Sequence, residues 1–88
     1  MMSEDQIFKQ LEEVLQELSI ELKFRKGYFR GGLCRYRDKN YFFLNRMDKR
    51  DSHISLILSE LGKMNLDGVD IPQEIEELIS KSEASRED

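Results

Sequence analysis

Between Leu18 and Ile20 the apolar residues of this chain change period. Ile7, Leu11, Val14, Leu15 and Leu18 recur at helical spacing, with Glu12, Glu13 and Glu17 on the opposite face. From Ile20 onward, Ile20, Leu22 and Phe24 alternate strictly with Glu21, Lys23 and Arg25, the pattern of an extended strand with one apolar and one charged face. A chain that switches in this way must seat a sheet against a helix to cover both apolar surfaces.

The remaining elements follow from the same reasoning. Ser3 and Gln6 have capping-box spacing, which starts the first helix. Gly27 and Gly31-Gly32 bracket the turn after the first strand. A second strand is expected from Leu33 to Arg37 and a third from Tyr41 to Arg46, joined at Asp38-Lys39-Asn40. Asp51 or Ser52 is the expected cap of a second helix carrying Ile54, Ile57, Leu58, Leu61 and Met64. After an Asp67-Gly68 turn, Pro72 at a first-turn position opens a third helix with the stripe Ile71, Ile75, Leu78 and Ile79. The order α-β-β-β-α-α predicts an α+β fold, a small three-stranded antiparallel sheet with helices packed on one face. With 88 residues there is room for one core, so residues 1–79 are expected to form a single domain and residues 80–88 a polar, frayed tail.

The hairpin loop decides which side chains of the sheet face the core. A three-residue loop with Asn40 left-handed places Arg37 opposite Tyr41, Tyr36 opposite Phe42, Arg35 opposite Phe43 and Cys34 opposite Leu44. That register puts Cys34, Tyr36, Phe42 and Leu44 with the core, and Arg35, Arg37, Tyr41 and Phe43 on the outside beside Lys23 and Arg25. A loop of Asp38-Lys39 alone mixes arginine with leucine on both faces, which buries charge, so the three-residue loop is the expected one.

Charge gives the middle of the chain its functional content. Residues 23–50 hold ten of the fourteen basic residues and seven of the eight aromatics, against only Asp38 and Asp48, a net of +8. Both flanks are acidic, so the whole chain is −4 and its net charge conceals a basic, aromatic segment. Guanidinium and ammonium groups alternating with rings can meet phosphates and unstacked bases, so Lys23, Arg25, Arg35, Arg37, Tyr41 and Phe43 form a candidate binding face. The competing reading is a solvated strand face whose charges discourage aggregation, or a face covered by a helix or a second subunit.

Other constellations carry less. Arg30-Gly31-Gly32 reads as a turn, since no helix follows to make a phosphate site. Cys34 and His53 are the residue types of a thiol-imidazole pair, but Cys34 is expected in the core, where it acts as a small hydrophobe. Asp48, Asp51 and His53 lie close in sequence without a partner cluster, and the Asn65-to-Asp70 segment lacks the glycine of a calcium loop. No catalytic residue, cofactor or metal is expected. The single cysteine and the acidic start point to a reducing, cytoplasmic setting with no membrane span.

Arg30-Gly31-Gly32-Leu33-Cys34-Arg35, with Leu66 and Val69-Asp70-Ile71-Pro72, resembles a group of short bacterial proteins over about residues 30–79. The resemblance implies a bacterial, intracellular origin and brings no activity with it. The expected function is a small non-enzymatic binding or adaptor domain acting through a protein partner or as a homodimer. The alternative is a nucleic-acid-binding module using the basic-aromatic face, with a thiol enzyme built on Cys34 a distant third.

Overall fold

A computed structural model describes residues 2–84 of the chain. Helix α1 (Glu4–Glu17) starts at the predicted capping box: Ser3 Oγ accepts from the Gln6 amide at 3.2 Å, and Gln6 Oε1 accepts from the Ser3 amide at 2.9 Å. It buries Phe8, Leu11, Val14 and Leu15. Ser19, with a positive φ of 60°, turns the chain out of the helix and into strand β1 (Ile20–Arg25), so the change of period marks the boundary.

Strands β2 (Gly32–Tyr36) and β3 (Lys39–Asn45) complete a sheet of order β1-β3-β2. β3 lies in the centre, antiparallel to β2 but parallel to β1, so the sheet is mixed rather than wholly antiparallel. Parallel neighbours need a connection of a dozen or more residues, which residues 26–38 supply. β2 is folded within that connection: the chain crosses to the far edge, then doubles back into the middle.

The doubling back is tighter than the three-residue loop predicts. Arg37 and Asp38 alone form the turn, both with positive φ, 50° and 65°, as a type I′ hairpin requires. Tyr36 therefore pairs with Lys39, Arg35 with Asn40, Cys34 with Tyr41 and Leu33 with Phe42. This register differs from the expected one by an odd number of positions, and an odd shift exchanges the two faces of β2. The two-residue turn matches the right-handed twist of the strands, and it gives Leu33 rather than Cys34 the inner-face position opposite Phe42, where Leu33 stays exposed at the sheet edge.

The inner face of the sheet carries Ile20, Phe42 and Leu44, all buried, with Leu22 and Phe24 partly so. Onto it pack α1 and helix α2 (Arg50–Leu61), which buries His53, Ile54, Ile57, Leu58 and Leu61. α2 begins one residue before the predicted caps. Lys49 is its N-cap with no side-chain hydrogen bond, and Asp51 Oδ1 instead accepts from the neighbouring Ser52 amide at 2.8 Å. Gly68, with φ of 81°, makes the expected turn. Helix α3 (Gln73–Ala84) then follows Pro72, whose carbonyl accepts from Ile75 and Glu76. Pro72 thus sits just outside the helix rather than in its first turn. α3 seats Ile75 and Ile79 against the other helices and runs past residue 79, so Ser80–Ala84 are helical; residues 85–88 of the expected tail lie outside the described residues. No helix among the described residues is long and apolar enough to cross a membrane.

Candidate binding face

Because successive residues of a strand point to opposite sides, the alternation that buries Phe42 and Leu44 turns Tyr41 and Phe43 outward from the central strand. Their rings lie 6.1 Å apart between centroids at 36°, close enough to form one aromatic surface. On β1, Glu21 is in register with Tyr41 and Lys23 with Phe43, and Arg25 follows on the same face. On β2, Cys34 is opposite Tyr41, with Tyr36 next to it on that face. Together these residues line a shallow outer groove of about 460 Å³. The helices pack on the inner face, so no described element lies across this one.

Of the six residues expected to form the face, the structure brings together four: Lys23, Arg25, Tyr41 and Phe43. Arg35 does not join them. The shortened turn gives it inner-face parity, but β2 carries it beyond the helices, where it stays exposed and pairs with Asp38 at 3.4 Å. Arg37 occupies the turn itself, its guanidinium 5.2 Å above the Tyr36 ring. Cys34 and Tyr36, expected in the core, take the vacated outer positions, and Tyr36 is 59% exposed. The opposing carboxylate on the face is Glu21, and it is paired with Lys23 at 3.5 Å. Arg50, counted in the basic segment, turns to the helical side, 3.9 Å from the Phe8 ring and 3.8 Å from Asp5.

A second groove of about 540 Å³ adjoins the first and shares Arg25, Cys34 and Phe43 with it. Its other wall is the crossover connection, which brings Lys26, Phe29 and Arg30 to the face. In the sequence this segment reads as a turn, and its part in the surface emerges only in the fold. Its local signal is Gly31: a Cβ there would stand 2.3 Å from the Phe43 carbonyl oxygen, so only glycine lets the connection cross β3 this closely. The connection is also tied by Asn45, which is 6% exposed. Its Nδ2 donates to the carbonyls of Gly27 at 2.8 Å and Phe29 at 3.0 Å, and its Oδ1 accepts from the Met47 amide at 3.0 Å.

Neither of the two chemistry-bearing groups weighed in the sequence, Cys34 with His53 and Asp48 with Asp51 and His53, is assembled. Cys34 is on the outer face, whereas His53 lies in α2 beneath the inner face, ringed by Phe8 and Phe24. Its Nε2 is 2.7 Å from the Asn45 carbonyl oxygen, which can only accept, so Nε2 carries the proton. That bond and its burial remove His53 from any cluster with Asp48 and Asp51. No group of three or more His, Cys, Asp or Glu suited to a metal ion occurs among the described residues. No family model, curated protein or solved structure matches this chain.

Proposed function

We propose that this chain is a small non-enzymatic binding module whose ligand is single-stranded nucleic acid, held on the outer face of the sheet. The observation that carries the reading is the open pair Tyr41 and Phe43 on the central strand, flanked by Lys23 and Arg25. Rings at the middle of an uncovered sheet accept stacked bases, and the flanking cations meet the phosphates. Every base has a flat face, so such a surface binds single strands with little dependence on sequence, whereas a duplex keeps its bases stacked on one another. The acidic outer surfaces of α1 and α3 lie on the helical layer, away from this face, so they leave an approach open to a polyanion.

Fluorescence anisotropy with a labelled oligouridylate of about eight nucleotides, within the roughly 4–16 that a sheet-type domain covers, tests this reading. Binding is expected to weaken linearly in log[salt], with a slope that becomes shallower by about 0.7 for each phosphate-binding cation removed, in Lys23→Ala or Arg25→Ala. Tyr41→Ala is expected to weaken binding without removing that salt dependence. An affinity unchanged by salt, or absent at low salt, overturns the proposal.

A second reading, a protein partner or a second copy of the chain, is favoured by Leu33 and Tyr36, 41% and 59% exposed on the edge strand β2. Light scattering across a concentration series separates it. A dimer abolished by Leu33→Glu, together with no oligonucleotide binding, would make self-association the function.

A further inference from the structure

We infer that the crossover connection of residues 26–31 is the second half of the binding face and that Asn45 is the residue that positions it, an inference that rests on the outer face binding single-stranded nucleic acid. Three observations converge. The connection has the same chemistry as the sheet face, two cations and an exposed ring, in Lys26, Arg30 and Phe29. The groove it walls shares Phe43 and Arg25 with the sheet groove, so a strand stacked on Phe43 has a continuous path onto Phe29, with Arg25 and Arg30 on its flanks. The connection is also held in place. Asn45 spends its amide hydrogens on the Gly27 and Phe29 carbonyls, which draws the backbone inward on both sides of Tyr28. Behind Asn45, its own carbonyl receives the His53 hydrogen bond from α2, so the anchor is fixed to the helical layer. A buried asparagine whose carbonyl oxygen and amide group are both engaged is a rigid support.

The occupant is therefore longer than the sheet alone would hold. Bases on Tyr41 and Phe43 account for a short oligomer, and the connection adds a surface that a trinucleotide does not reach. Charge complementarity supports a polyanion, because Glu21 is the acidic side chain facing the two grooves and Lys23 already pairs with it.

The experiment measures the binding of tri- and octauridylate, with octathymidylate as the DNA arm, to the full chain and to four variants. The wild type is expected to bind the octamer more tightly than the trimer. Phe29→Ala is expected to weaken octamer binding about 5- to 150-fold, the range for removing one base–aromatic stack, and Arg30→Ala to weaken it with a salt slope shallower by about 0.7, both leaving the trimer unchanged. Asn45→Asp keeps the acceptor for Met47 but presents a carboxylate to the two loop carbonyls, so it is expected to abolish the octamer gain alone. Circular dichroism of each variant shows whether it folds, and the exposed sites Phe29 and Arg30 carry the test if Asn45→Asp does not. Loss of octamer binding in Phe43→Ala with none in Phe29→Ala or Arg30→Ala overturns the inference and leaves the proposed function standing. If the wild type binds neither oligomer at low salt, the proposed function itself falls.

Discussion

The two faces of β3 carry similar residues and meet opposite fates. Phe42 and Leu44 are completely buried under α1 and α2, while Tyr41 and Phe43, their immediate neighbours, form the floor of an open groove. Nothing in the side chains separates Phe42 from Phe43. The difference lies in which side of the sheet the helices cover, so an aromatic cluster in sequence divides into a core half and a surface half according to parity alone.

Truncating one ring from each face should give the largest contrast. Phe42→Ala is expected to cost about 3–5 kcal/mol of stability, as core phenylalanines do. Tyr41→Ala should cost about 1 kcal/mol, the worth of a half-buried ring pair. Chemical denaturation of the two variants measures both, and equal losses would mean that the outer face is covered. Next in size is Gly31→Ala, where the new Cβ meets the Phe43 carbonyl oxygen and Leu56 Cδ2. An overpacking loss of about 1–3 kcal/mol is expected from the same measurement, and an unchanged midpoint would show that the connection does not press on β3.

A smaller and opposite effect tests the register. Replacing Arg37-Asp38 by Asn-Gly relieves two left-handed residues in a type I′ turn and should raise stability by about 1 kcal/mol. Destabilisation would instead favour the longer loop and would return Cys34 to the core. Smallest of all, Lys23→Ala should move stability by about 0.5 kcal/mol or less, because its ion pair with Glu21 is partly open to solvent and screened by it. A larger loss would assign Lys23 to the fold rather than to recognition.

How legible each part was follows from its range. The capping box of Ser3 and Gln6, the stripe of α1 and the switch of period after Leu18 depend on neighbours within a few residues, and the structure has them as the spacing predicts. Phe8 is a partial exception: it is buried beside the predicted stripe because the sheet and Arg50 cover that flank of the helix. The outer positions of Lys23, Arg25, Tyr41 and Phe43 were legible from alternation. Those of Cys34, Tyr36, Arg35 and Arg37 were not, since they turn on a single residue of loop length, and polarity alone argued for the wrong turn. It assumed that an inward-facing arginine is buried, whereas Arg35 extends past the edge of the helical cover.

Element order, the α+β class and a basic, aromatic middle are all readable along the chain, because period, capping and charge are local properties. The insertion of β3 between β1 and β2, the parallel pairing of β1 with β3 and the crossing of residues 26–31 that walls the groove come instead from long-range packing. Those outcomes depend on contacts between residues far apart in the chain, Asn45 with Gly27 and Phe29 and Gly31 with Phe43, whose partners no local pattern specifies.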